Sequence, residues 1–107
     1  MRGAAAFARL FRQGQRTDAE HLQLLAAPAA TAVGRVGYVI GKQQLGLAVD
    51  RNRLRRLLRE AVRQRRPALD AFDIVLRLAR RCRPERLNAA GGEAGRLLDA
   101  LLEPRRR

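Results

Sequence analysis

The chain has 107 residues, with 23 Lys and Arg against 10 Asp and Glu, a formal net charge of +13 and a 47% hydrophobic content. That length holds one domain with a modest core, expected to bury roughly 60 to 70% of the surface its unfolded chain exposes, and the hydrophobic content excludes a wholly disordered basic tail. The charge balance disfavours an enzyme acting on cationic substrates and favours a polyanionic partner, nucleic acid or an anionic membrane, between which charge alone does not choose. The single cysteine, Cys82, and single histidine, His21, provide neither an intramolecular disulfide nor the clusters that zinc sites use, which fits a reducing cytosol. Arginines interrupt every apolar run well short of the roughly 20 residues of a membrane span. Arg9, Arg12 and Arg16 fall where a signal peptide would need an apolar core and a cleavage site, so the chain reads as mature, cytoplasmic protein.

In chain order, Ala4 to Arg12 are good helix formers with Phe7, Leu10 and Phe11 on one face, and Gly14 is a stop. The partly alternating run His21 to Leu25 and the β-branched and aromatic run Arg35 to Ile40 predict two neighbouring strands, with Pro28 and Gly34 punctuating between them. Gly41 to Gly46 reads as a loop. Leu54, Leu57, Leu58, Ala61 and Val62 then recur at helical spacing, with Asp50 or Asn52 placed to cap or charge-match the first turn and Pro67 stopping the helix near Arg66. Asp73 to Ala79 predicts another strand. The Gly91-Gly92 pair is read as the separator before a final helix, Glu93 to Leu102, with Leu97, Leu98, Leu101 and Leu102 inward, and Arg105 to Arg107 as a frayed basic end. No internal repeat occurs, and one domain spans residues 1–107, its core about 7–102.

Between Arg51 and Arg66 stand eight arginines, Arg51, Arg53, Arg55, Arg56, Arg59, Arg63, Arg65 and Arg66, against one acid, Glu60. Like charges at i and i+4, such as Arg51 with Arg55, cost a few tenths of a kcal/mol when unpaired. A conflict of that kind marks function more often than fold. Arginine offers a planar fork to phosphate oxygens and a flat face to bases, and 22 of the 23 basic residues are Arg. A solvated face is the plain alternative. A helix lying on anionic lipid would carry larger apolar side chains than the Leu, Ala and Val of this buried face. No nucleophile and base pair, carboxylate cluster or metal-ligand spacing stands out, so no catalytic residue and no metal ligand is assigned.

The run Arg51-Asn52-Arg53-Leu54-Arg55-Arg56-Leu57-Leu58-Arg59-Glu60, entered through Gly46-Leu47-Ala48-Val49, closely resembles the signature of the bacterial ribonuclease P protein subunit, where it reads Arg-Asn-Arg-x-Lys-Arg. The likeness extends to Phe7-x-x-x-Phe11 with Gly14 and Arg16, to the strand ending Gly37-Tyr38-Val39-Ile40-Gly41-Lys42, and to Asp73-Ile74-Val75, covering about Phe7 to Leu102. The resemblance implies an α+β sandwich of order α-β-β-β-α-β-α, like that of ribosomal proteins. Its four-stranded, mostly antiparallel sheet has a first short strand near Gln15 to Asp18, and its βαβ crossover is left-handed, against the usual hand.

It also implies function. Members pair with a large catalytic RNA, and the complex removes the 5′ leader of precursor tRNA. The chemistry and the Mg²⁺ ions are expected to belong to the RNA, with no organic cofactor, the protein inactive alone and one protein per ribonuclease P RNA. By resemblance Arg51, Asn52, Arg53, Arg55, Arg56 and Arg59 face the catalytic RNA, while Leu54, Leu57 and Leu58 are core. Phe7, Phe11, Arg16 and Lys42 line the cleft for the single-stranded leader, with Arg9 and Arg12 as further rim candidates. Read without the family, Phe7 and Phe11 at i and i+4 point to core rather than to a binding surface, and it is the resemblance that brings them to the cleft. Tyr38 is read as core, and His21 and Cys82 as structural. Arg55 replaces the usual Lys, Gln43 stands where a second basic residue is common, and Leu25 falls near a position often aromatic, which predicts fewer leader contacts. The alternative reading is a non-catalytic RNA-binding module, a ribosomal protein or RNA chaperone with no membrane role.

Overall fold

The computed structural model describes the backbone of residues 2–103 and the side chains of residues 8–103. Its elements run α1 (Arg2–Gln13), β1 (Gln15–Asp18), β2 (Leu22–Pro28), β3 (Val36–Val39), α2 (Ala48–Arg63), a 3₁₀ turn (Ala68–Ala71), β4 (Phe72–Leu78), a second 3₁₀ turn (Pro84–Arg86) and α3 (Leu87–Leu102). The order is that of the α+β sandwich expected. The side chain of Phe7 and the basic end Arg105 to Arg107 lie outside the described residues.

The four strands form one sheet in the order β1-β2-β4-β3. β1 pairs with β2 and β2 with β4, both antiparallel, whereas β3 runs parallel to β4. Parallel neighbours cannot be joined by a hairpin, so α2 is the crossover between them. The two strands predicted as neighbours are therefore separated by β4. That strand is apolar on both faces, with Ile74, Val75 and Leu76 fully buried, and so it takes a central place.

Strand alternation divides the apolar residues between two layers. Leu22, Leu24 and Ala26 of β2 and Ile74, Leu76 and Leu78 of β4 pack with Leu54, Leu58, Ala61 and Val62 of α2 and with Leu87, Ala90, Ala94, Leu97 and Leu98 of α3. The opposite face holds a small cluster in which Leu10 of α1 meets Leu25, Ala27 and Val75. Leu10 is wholly buried while Phe11 is 48% exposed, so the apolar face expected for Phe7, Leu10 and Phe11 splits, with only Leu10 facing the core among the two described.

The final helix begins at Leu87, six residues earlier than predicted, and runs through Gly91-Gly92, which is no separator. Glycine within a helix costs about 1 kcal/mol relative to alanine, but a Cβ on Gly91 would sit 3.2 Å from the Cβ of Leu57. The glycine is there because α2 and α3 approach closely. Leu57, expected in the core, is half-buried on that flank. Neither Asp50 nor Asn52 caps α2: the N-cap is Leu47, without a side-chain hydrogen bond, and Asp50 offers only its charge to the first turn. The helix ends at Arg63, before Pro67. Tyr38 is half-buried and packs against the larger core.

His21 and Cys82 are both buried, as structural residues should be. Glu93 of α3 accepts from the amides of His21 at 2.8 Å and Leu22 at 3.0 Å, and its other oxygen lies 2.7 Å from His21 Nδ1. This cross-link fastens α3 to the start of β2. Burial pushes the Glu93 carboxyl up, but the His21 ring and the two amides outweigh it and hold the group below the ordinary carboxylate range.

Candidate nucleic-acid interface

α2 presents its charge in an ordered way. With 3.6 residues per turn, burying Leu54, Leu58, Ala61 and Val62 turns Asn52, Arg56, Arg59 and Arg63 outward as a stripe, with Arg53 and Arg55 at its two edges. Internal partners then remove most of the eight arginines. Arg63 pairs with Glu60, Arg65 with Asp99 and the Ala61 carbonyl, and Arg66 with Asp70. Arg55 donates to the Asn52 side-chain oxygen at 3.2 Å. Arg51 is half-buried and donates through Nη1 to the carbonyls of Leu45 at 2.9 Å and Gly46 at 2.8 Å. Among the described residues Arg53, Arg56 and Arg59 have no hydrogen-bonding partner and are exposed. Their guanidinium groups are open to an external anion, and phosphate oxygens suit the fork geometry.

A second surface lies where α1 crosses the sheet. A cleft of about 430 Å³ is lined by Phe11, Gly14, Arg16, Gln23, Leu25 and Arg77. Gly14 permits the tight exit from α1 onto the sheet, since a Cβ there would fall 2.6 Å from the carbonyl oxygen of Leu10 and 3.3 Å from that of Ala26 in β2. Register explains the floor, because Arg16 lies opposite Leu25 and Gln23 opposite Arg77, all on the α1 side of the sheet. Gln23 donates to Asp18 at 3.0 Å, which fixes its amide. Among the described residues Arg16 and Arg77 have no hydrogen-bonding partner, and with the Phe11 ring they suit a single strand whose bases stack and whose phosphates meet the two guanidinium groups.

Asp73 sets the wall of that cleft. Its carboxylate, 1% exposed, accepts from Arg9 of α1 at 2.9 Å and from the amides of Arg35 at 2.9 Å and Ala30 at 3.2 Å. Burial raises its pKa, and the two amides with the Arg35 and Arg9 guanidinium groups bring it below the ordinary value. Arg9, a rim candidate, is thus engaged with the fold, while Arg12 is exposed.

The structure brings Phe11 and Arg16 together and places Lys42 elsewhere. Lys42 lines a separate hollow of about 590 Å³ where β3 and β4 end, with Asp50, Arg81, Cys82 and Arg83. Gln23 and Arg77 are cleft residues that sequence reasoning missed. The signal for Arg77 was its place two residues beyond Val75 on a strand of alternating faces. Tyr38 stands near Arg59 and Arg66, and its burial nonetheless raises the phenol pKa.

One group of His, Cys, Asp and Glu among the described residues has ligand atoms within reach of a single ion, namely Glu20, His21 and Glu93. Mg²⁺ prefers oxygen ligands in octahedral geometry and keeps several waters. An imidazole beside a carboxylate already accepting two amide hydrogen bonds does not fit that ion. No helix among the described residues is long and apolar enough to cross a membrane.

A family model described as Ribonuclease P matches residues 1–101. The chain is 50% identical over 66 residues to the ribonuclease P protein component of Bordetella avium, covering 60% of this chain and 55% of that protein. It is 47% identical over 57 residues to that of Azotobacter vinelandii, covering 53% of this chain and 44% of the relative. The match thus spans about half the length of these curated relatives. The fold is similar to that of the RNase P protein from Thermotoga maritima, with TM-score 0.71 at 23% identity over 99% of this chain and 97% of the other. It is also similar to that of the RNase P protein from Staphylococcus aureus, with TM-score 0.76 at 19% identity over 95% and 86%. On the family match, which covers nearly its whole length, this chain belongs to the Ribonuclease P family of proteins.

Proposed function

We propose that the protein is the protein subunit of a ribonuclease P ribonucleoprotein, in which it grips the catalytic RNA and the 5′ leader of precursor tRNA while the RNA cuts the phosphodiester. The observation that carries this reading is the sorting of charge on α2, where Arg53, Arg56 and Arg59 are left exposed and unpartnered on a helix whose other arginines have acceptors. Together with Asn52, and with Arg55, whose acceptor is that neutral amide and leaves its charge uncompensated, they form the face for the catalytic RNA, holding it by phosphate contacts that release counterions.

The cleft beside α1 takes the leader. Phe11 stacks on bases without regard to their identity and Arg16 and Arg77 neutralise phosphates, while Phe7, whose side chain lies outside the described residues, is assigned to the leader by family resemblance alone. Lys42 lies apart from that cleft, in the hollow at the end of β3, and is assigned to the leader by family resemblance, as a contact for a strand that runs on beyond the cleft. Holding the leader favours precursor over product, because mature tRNA has lost the segment that the cleft contacts. Mg²⁺ stays with the RNA, where its role is to activate the attacking water and stabilise the leaving oxygen. The protein contributes positive charge that reduces repulsion between two polyanions, so less Mg²⁺ is needed for the same activity. One protein serves one RNA, in the cytoplasm.

The test is reconstitution with a bacterial ribonuclease P RNA at low Mg²⁺. Added protein is expected to restore cleavage of precursor tRNA, and protein without RNA to give none. Absence of any gain would favour the alternative, a ribosomal protein or RNA chaperone with the same charge and fold.

A further inference from the structure

The first arginine of the Arg-Asn-Arg run differs from its neighbours in the structure. Arg53, Arg56 and Arg59 reach into solvent, but Arg51 turns back along α2. Its Nη1 donates to the last two carbonyls before the helix N-cap, those of Leu45 and Gly46. The segment it touches, Gly41 to Leu47, is a folded turn rather than an open loop. The amides of Gln44 and Leu45 donate to the Gly41 carbonyl at 3.3 and 3.2 Å, Leu45 is buried in the larger core, and the Cys82 amide donates to the Gln44 carbonyl at 2.9 Å. One end of this turn carries Lys42, exposed at the rim of the hollow that Arg81 and Arg83 share.

α2 has no side-chain N-cap, so nothing else from the helix's own first turns fixes the angle at which the chain enters it. A guanidinium at the N-terminal end of a helix is opposed by the macrodipole, and Asp50 offsets part of that cost. An arginine kept there at a cost, with one nitrogen spent on two backbone carbonyls, acts on the fold before it acts on a ligand.

We infer that Arg51 is a positioning residue, which shapes the turn Gly41–Leu47 and so the place of Lys42, and is not one of the phosphate contacts of the arginine helix. The inference rests on the reading of Lys42 as a leader contact, but its structural half does not.

The experiment compares Arg51→Ala, Arg51→Lys and Arg53→Ala in the full chain and in the reconstituted holoenzyme. Amide hydrogen exchange of the free protein is read at Gln44, Leu45 and Cys82. Arg51→Ala is expected to speed exchange there about tenfold, the equivalent of one charge-assisted hydrogen bond, and Arg51→Lys to recover part of the protection because an ammonium on a shorter side chain keeps the charge and the donors but not the full reach. The slope of log affinity against log salt for the catalytic RNA is expected to stay unchanged in Arg51→Ala and to fall by about 0.7 to 0.9 in Arg53→Ala. The preference of the holoenzyme for precursor over mature tRNA is expected to fall in Arg51→Ala, whereas general unfolding would lower both affinities together. Unchanged exchange at the three amides, or a salt slope as flat as that of Arg53→Ala, overturns the inference. If the unaltered holoenzyme itself shows no preference for precursor, the functional reading fails, and the exchange data still decide the role of Arg51.

Discussion

Arg9 of α1 and Asp73 of β4 meet at 2.9 Å across 64 residues of sequence, and this pair joins the helical wall of the cleft to its floor. The two partners are unequal, since Asp73 is almost wholly buried and also holds the Ala30 and Arg35 amides, whereas Arg9 keeps a third of its side chain in water. Asp73→Ala should cost about 2 to 4 kcal/mol, because it strips the Ala30 and Arg35 amides of their acceptor. Arg9→Ala should cost no more than about 1 kcal/mol, since the pair is partly solvated. Urea unfolding of the two variants measures the difference.

Phe11 behaves oppositely. Being half exposed, it contributes little to the core, so Phe11→Ala should leave the unfolding midpoint nearly unchanged. Affinity for precursor tRNA should fall by about 1 to 3 kcal/mol, the value of one stacked base, with mature tRNA unaffected. Equal losses for precursor and mature tRNA would remove Phe11 from the leader cleft.

Acid should loosen the fold through Asp73 and Glu93. Both carboxyls titrate below their ordinary values of 3.8 and 4.5 in the folded protein, so as pH falls the unfolded chain takes up protons first. Their stabilisation is complete above about pH 5 and is lost progressively as pH drops through the lowered folded values. Glu93→Gln keeps acceptors for the two amides but loses the charge beside His21, and should flatten the decline of stability between about pH 5 and pH 3. Denaturant titrations across that range measure it, and an unchanged decline would take Glu93 out of the acid response.

Two adjacent glycines of α3 separate propensity from packing. A Cβ on Gly92 would meet only the end of the Arg96 side chain at 3.6 Å, so Gly92→Ala should stabilise the protein by about 0.5 to 1 kcal/mol. Gly91→Ala brings the same helical gain but sets a methyl group 3.2 Å from Leu57, and should fall short of Gly92→Ala in melting temperature.

These contacts also explain what could be read in advance. The periodic leucines of α2 and the β-branched runs of β3 and β4 disclose their elements because burial alone sets their pattern. The start of α3 is hidden, because Gly91 and Gly92 carry a loop signature that only the nearness of Leu57 reverses. Strand order is hidden as well, since nothing within β2 or β3 says that β4 lies between them. At the site, the arginine-rich helix is plain from charge density, and local acceptors such as Glu60 for Arg63 and Asp70 for Arg66 lie within four residues, but the rest of the division depends on an acceptor 34 residues away, as in Arg65 with Asp99, or on backbone carbonyls, as in Arg51. Lys42 falls apart from Phe11 because the turn after β3 directs the chain toward β4's far end, a matter of topology that spacing does not encode.

The central claim is that Arg53, Arg56 and Arg59 hold the phosphates of a catalytic RNA. The most direct measurement is the salt dependence of binding to ribonuclease P RNA for the protein and for its triple alanine variant at these positions. A loss of about 2 to 3 in the slope of log affinity against log salt is predicted, close to one released counterion per arginine. A slope the same in both proteins would contradict the account.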